Sequence, residues 1–276
     1  MNTREQPQKL GKTSLTSLVI SNHRIDVAVP AEVGINTPLL VMHDGGNLLV
    51  DRADAWNGQN WGITDSLDAG LISAELLPIV IGVFTGEGTS RYNELSPATI
   101  VAAAPEAFDT IPADVRPADR TINSVAYQEF LAREVLPTVA EQYGVELHPS
   151  RTAIGGSSMG GLASIYGLGL HPDIYGAALA FSTHWPFGGQ VAVETLIGAL
   201  PAPDGTHRLW LDSGNRELDA AYPSLHYSAV DLLEQNGYVR DRDFEARLYA
   251  GTGHQEKYWA ARWPDAVNWW LSPSPR

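Results

Sequence analysis

Segment 154–162 reads IGGSSMGGL, and within it Gly156, Ser157, Ser158, Met159 and Gly160 make the pattern G-x-S-x-G. Glycines two residues before and after a serine let a strand turn sharply into a helix without Cβ clashes, leaving the hydroxyl at the apex. Ser158 satisfies this spacing, whereas Ser157 would put Met159 where the second glycine is needed. The pattern is short enough to arise by chance in a chain with 26 glycines, so its weight comes from its setting between a strand-like and a helix-like run. The chemistry such a serine performs is attack on a carbonyl, and at neutral pH that requires a base to take its proton. Of eight histidines, His254 in GTGHQEKYW follows the strand-like run EARLYA in a glycine turn, from which an imidazole can reach the serine.

A third group must orient that imidazole, and the order nucleophile, acid, base places it after the run RLWLD. There DSGNRELDAAY offers Asp212, Glu217 and Asp219. Glu217 is the expected acid, because Asp212 ends the strand and stays near the sheet while Asp219 is suited to capping the next helix. The oxyanion formed on attack needs preorganised donors. The amide of Met159, directly after the nucleophile, is one; the run PLLVM leads into HDGGNLL, where Gly46 is the expected second donor and Gly45 its support. His184 in STHWPFGG follows the strand after the elbow helix and lines the pocket beside Trp185 or serves structure alone.

These loops need elements to hold them. Short apolar, β-branched runs at 25–29, 38–42, 79–84, 151–155, 176–181, 208–212 and 244–249 read as strands, and 124–143, 159–170, 220–236 and 256–271 carry helical periodicity. The alternation predicts one α/β domain over 1–276, a mainly parallel sheet with helices on both faces. Between 85 and 122 the pattern fails, and the stretch is read either as an active-site wall or lid or as a surface excursion with a short helix. Acidic residues outnumber basic ones 32 to 18, for a net charge of −14, which disfavours nucleic acid and anionic membranes as partners. There is no cysteine, so disulfides, thiolate metal ligands and a cysteine nucleophile are excluded. No run approaches the roughly 20 apolar residues of a membrane helix and the N-terminus lacks a signal-peptide pattern, so the expected location is the cytoplasm.

Together, HDGGNLL with WGITDSL, IVIGVFTGEGTSRYNELSP, YQEFLAREVLPTVAEQY, RTAIGGSSMGGLASIYGLGLHPDIYG, LWLDSGNRE and GHQEKYWAARWPDAVNWWL resemble the putative esterase (esterase-D-like) family of α/β-hydrolases, over most of the chain. That family includes trilactone siderophore (enterochelin-type) esterases, feruloyl and acetyl-xylan esterases, and mycolyltransferases. The resemblance implies an α/β-hydrolase fold with Ser158 as nucleophile, His254 as base and Glu217 as acid, and a DG turn, Asp44 and Gly45, leading to the oxyanion donor. The R-x-x-E pair Arg91 and Glu94 is similar to the family's signature; it is read as a salt bridge holding the loop, with binding of an anionic substrate group by Arg91 as the other reading. Trp56, Trp61, Trp185 and Trp259 are read as a flat-faced pocket for aromatic acyl groups or sugars, or as core. The expected activity is serine carboxylic-ester hydrolysis of a small-molecule ester through an acyl-enzyme, without cofactor or metal. A trilactone siderophore or aromatic acyl ester leads the substrates, with an acyltransferase or a carbohydrate acyl esterase as alternatives.

Overall fold

The computed structural model describes residues 8–50, 58–73, 75, 77–117 and 121–273. Among the described residues nine strands form one sheet in the order β1-β2-β3-β5-β4-β6-β7-β8-β9. β1 (Gln8–Leu10), β2 (Thr13–Ile20) and β3 (His23–Val29) are antiparallel to one another, and β3 joins β5 (Ile79–Val83) antiparallel as well. From β5 onward β4 (Leu39–His43), β6 (Thr152–Ser157), β7 (Ala177–Phe181), β8 (Arg208–Ser213) and β9 (Phe244–Leu248) run parallel. The α/β class and the parallel centre are as the alternation predicts. β2 was not expected: its TSLTSLVI mixes hydroxyls into the apolar run and lacks clean alternation, yet Thr13 and Thr16 are buried with the leucines.

The central strands are apolar on both faces because each face is covered. Leu39, Val41, Ile79, Ile81 and Ile154 point into one core, while Leu40, Met42, Val80 and Ala153 point into the other. The second core is closed by α1 (Ile63–Asp68) and α9 (Glu256–Leu271), whose Trp259, Trp263 and Trp270 are buried. Over the first lie α2 (Thr89–Leu95), α3 (Ala98–Ala103), α4 (Ser124–Phe130), α5 (Leu136–Tyr143), α6 (Met159–Leu170), α7 (Gly189–Gly198) and α8 (Pro223–Gln235). The helix expected over 124–143 is interrupted by a π turn at Leu131–Val135, just before Pro137, which has no N–H to donate and whose ring crowds the preceding turn.

Stretch 85–122 contains a packed layer. α2, α3 and a 3₁₀ turn at Pro105–Thr110 bury Leu95, Ile100, Phe108 and Ile111, and Phe108 meets Phe187 edge to face at 6.4 Å. The segment is thus anchored in the core rather than a free excursion over the surface.

Candidate active site

The elbow forms where β6 ends. Ser158 precedes α6 with φ 59° and ψ −121°, a left-handed backbone unusual for a residue with a Cβ. Its amide donates to Phe181 O at 2.9 Å, and its carbonyl accepts from Gly161 N at 3.0 Å and His184 N at 3.1 Å. Such a turn tolerates no side chain beneath it: a Cβ on Gly156 would lie 3.0 Å from His43 Cδ2 and 3.1 Å from the Gly160 carbonyl carbon. Ser157 is buried as the last strand residue, while Ser158 is partly exposed. Met159 opens α6, so its amide has no acceptor within the helix.

His254 stands in the turn between β9 and α9, and its Nδ1 meets Asp219 Oδ1 at 2.6 Å. Here the structure corrects the expected acid. Glu217 is exposed, adopts φ 55° and accepts from Gln255 Nε2 at 2.7 Å, whereas Asp219 is fully buried in the 3₁₀ turn Glu217–Ala221. The turn spends Glu217 on reversing the chain and carries Asp219 inward. Asp219 Oδ2 also accepts from Ser182 Oγ at 2.6 Å and Gly214 N at 2.8 Å. Burial pushes its carboxyl pKa up, but the bonds from His254 and Ser182 outweigh that and hold it below the ordinary carboxylate range. An ionised Asp219 fixes the His254 proton on Nδ1 and leaves a lone pair on Nε2.

Asp212, the other acid considered, is structural. Its Oδ1 accepts from Arg262 Nη1 at 2.9 Å and Ser182 N at 3.0 Å, and its Oδ2 from Trp210 Nε1 at 3.1 Å. Burial raises its pKa against the pull of Arg262. Ser182 Oγ also accepts from Trp259 Nε1 at 3.0 Å, so α9 braces the serine that bonds Asp219. Thr252 O ties the loops together by accepting from Asn215 N and Arg216 N, each at 3.0 Å. Sequence reasoning missed Ser182 and Arg262; what connects them is tertiary contact across 80 residues of chain, which no local spacing encodes.

Beside the elbow, the Asp44–Asn47 segment turns away from β4. A Cβ on Gly45 would stand 2.6 Å from the Gly82 carbonyl, and one on Gly46 would stand 3.3 Å from Phe84. Asn47 Nδ2 donates to Glu256 Oε1 at 3.1 Å, which links this turn to the start of α9. Arg91 does not pair with Glu94. Its Nε and Nη2 clamp Asp44 at 2.7 and 2.8 Å, and Glu94 instead meets His23 Nε2 at 2.8 Å. Burial opposes the ionised Asp44, but the Arg91 charge outweighs it and lowers the carboxyl pKa. The guanidinium therefore serves the turn below the elbow, which displaces the reading of Arg91 as an anion binder.

The aromatic wall is likewise corrected. Trp185 is 1% exposed and Trp61 2%, too little to offer a face to a ligand, and both lie in the cores. Trp259 is buried with its ring edge-on to His254 at 4.9 Å, where it fixes the imidazole plane. Trp56 lies outside the described residues. His184 is partly buried; its Nδ1 sits 2.5 Å from the Tyr222 hydroxyl, and burial, with the nearby His254, lowers its pKa to about 4. Tyr222, another residue the sequence did not single out, stands edge-on to His254 at 5.6 Å. Among the described residues no three His, Cys, Asp or Glu side chains gather to hold a metal, and no helix is long and apolar enough to cross a membrane.

Residues 21–270 match the family described as Putative esterase. The chain belongs to that family. It is accordingly a carboxylic ester hydrolase. No curated protein matches it in sequence. Among solved structures it is similar to a ferulic acid esterase (14% identity, TM-score 0.61, covering 98% of this chain and 97% of that one). It is similar as well to the enterobactin hydrolase IroE in complex with DFP (16%, 0.62, 95% of each). A third is an IroE-like serine hydrolase from Shewanella oneidensis (16%, 0.66, covering 97% of this chain and 79% of that one). At these identities the likeness is one of fold, and the fold is that of the α/β-hydrolase-type esterases.

Proposed function

We propose that this esterase works through Ser158, His254 and Asp219 with an acyl-enzyme intermediate. The observation that carries the reading is the 2.6 Å bond from His254 to a buried, ionised Asp219 beside the serine elbow. Such a carboxylate keeps the correct tautomer and stabilises the imidazolium that forms during attack. Ser158 Oγ bonds to the ester carbonyl carbon as its proton passes to His254 Nε2. The resulting oxyanion is held by the amides of Met159 and Gly46. Collapse breaks the bond to the alcohol oxygen, which leaves with the proton from His254. Water, deprotonated by the same imidazole, then releases the acid and restores Ser158.

For substrate, the reading is a trilactone siderophore or an aromatic acyl ester, supported by the shared fold with IroE and a ferulic acid esterase. Buried tryptophans take no part in it. The test is a panel of p-nitrophenyl acetate, p-nitrophenyl butyrate, methyl ferulate, acetylated xylan and a catecholate trilactone, given to wild type and Ser158→Ala. The trilactone or ferulate should show the highest kcat/KM and the variant should cleave none. A preference for acetylated xylan, or acyl transfer to added alcohol in place of hydrolysis, overturns the substrate assignment.

A further inference from the structure

Glu256, the first residue of α9, is 3% exposed, and the mechanism above gives it no part. An acid in the first turn of a helix gains from the helix dipole while standing in water, whereas burial strips a carboxylate of its hydration. A buried acid needs a partner that offsets the loss. The Oε1 of Glu256 accepts from Asn47 Nδ2 at 3.1 Å, across 209 residues of chain. Asn47 closes the 3₁₀ turn Gly45–Asn47 that follows β4, directly after Gly46, and its carbonyl accepts from Trp61 N at 2.9 Å. Glu256 itself stands two residues past His254. One hydrogen bond thus joins the loop that carries the base to the turn that carries Gly46.

We propose that Glu256 is a positioning residue: through Asn47 it sets where the Gly46 amide stands relative to Ser158 and His254. The inference rests on the reading of Ser158 as nucleophile and Gly46 as oxyanion donor. An ionised carboxylate only accepts, so it fixes which end of the Asn47 amide faces α9. At its other end the turn is held through Asp44, whose Oδ1 accepts from Arg91 Nε and Thr85 Oγ1, each at 2.7 Å. Gly46 therefore lies between two residues that are both fixed by their side chains. An oxyanion donor works through a direction set in advance. A turn freed at Asn47 would lose transition-state binding, while the ground-state ester, which asks less of that amide, would bind as before.

Two rates read the effect, each measured well below the melting temperature of the variant: turnover of p-nitrophenyl acetate, and modification of Ser158 by a fluorophosphonate, whose phosphoryl oxygen takes the place of the oxyanion. Glu256→Ala should lower kcat and the modification rate together by about 10- to 100-fold, between the loss of one hydrogen bond and of a whole oxyanion donor, with KM within about 2-fold. Asn47→Ala breaks the same bond from its half-buried end and should lower both rates by a similar factor. The double variant should fall no more than about 2-fold below the poorer single one, because the two residues act through one bond. Glu256→Gln, whose amide oxygen can accept that bond, should recover to within about 3-fold of wild type. A carboxylate that served packing alone would move the melting temperature and neither rate. Undiminished kcat in Glu256→Ala, a change in KM alone, additive losses in the double variant, or Glu256→Gln no better than Glu256→Ala overturns the proposal. Absence of modification at Ser158 in wild type overturns instead the nucleophile assignment, and unchanged kcat in Gly46→Pro, which lacks the amide hydrogen, overturns the donor assignment.

Discussion

Asp219 lies two residues beyond the carboxylate that spacing favours, and its burial decides its role. It accepts from His254, Ser182 and Gly214 together, so replacing it with an amide would remove the charge that fixes the imidazole tautomer. Asp219→Asn is expected to lower kcat by about 10³- to 10⁴-fold at neutral pH, whereas Glu217→Gln, which loses only an exposed bond to Gln255, should stay within about 2-fold. Steady-state kinetics of the two variants would reverse the assignment if Glu217→Gln were the damaged one. Ser158 and His254 stood out in the sequence because glycines and their neighbours single them out locally. The acid did not, since three carboxylates within DSGNRELD differ only in which of them a 3₁₀ turn carries inward.

The strands deliver the site as a set of loop ends. β4 ends at the Asp44–Asn47 turn, β6 at Ser158, β7 at Ser182, β8 leads to Asp219 and β9 to His254. Parallel strands bring those ends to one side of the sheet, the usual place for a site in this architecture. The turn after β4 depends on close approach to β5. Gly45→Ala would place a carbon 2.6 Å from the Gly82 backbone, neither of which is a side chain free to swing aside. It should cost about 1–3 kcal/mol in urea unfolding and depress kcat by displacing Gly46; stability equal to wild type would show that the turn has room. The parallel strands were legible because both their faces are apolar. α7 was not, since GQVAVETLIG has glycine at each end and a short apolar stretch that periodicity cannot separate from a strand. The Arg91–Asp44 clamp, spanning 47 residues, was hidden by the nearer Glu94.

At the scale of the molecule, desolvation favours the neutral form of three histidines. His43, His184 and His226 each have their pKa lowered to about 4, chiefly by burial. An unfolded histidine has the ordinary value near 6.5, so between pH 6.5 and 4 the unfolded chain binds protons that the native one does not. These three imidazoles should therefore favour the unfolded chain as pH drops through that window, by up to about three protons near pH 5, offset in part by Asp212, Glu245 and Glu256, whose carboxyl pKa values burial raises in the native chain. Denaturant unfolding from pH 7 to 4.5 in wild type and His226→Gln measures the contribution of one of them, and a slope that the substitution leaves unchanged would mean that this imidazole is not kept neutral. The central proposal is that Ser158 is the nucleophile of this ester hydrolase. The most direct measurement is intact-mass and peptide analysis of the chain after a fluorophosphonate, alongside p-nitrophenyl acetate turnover. The account predicts one adduct per chain on the peptide holding Ser158, with adduct and turnover both lost in Ser158→Ala. An adduct on another residue, or turnover that survives the substitution, would contradict it.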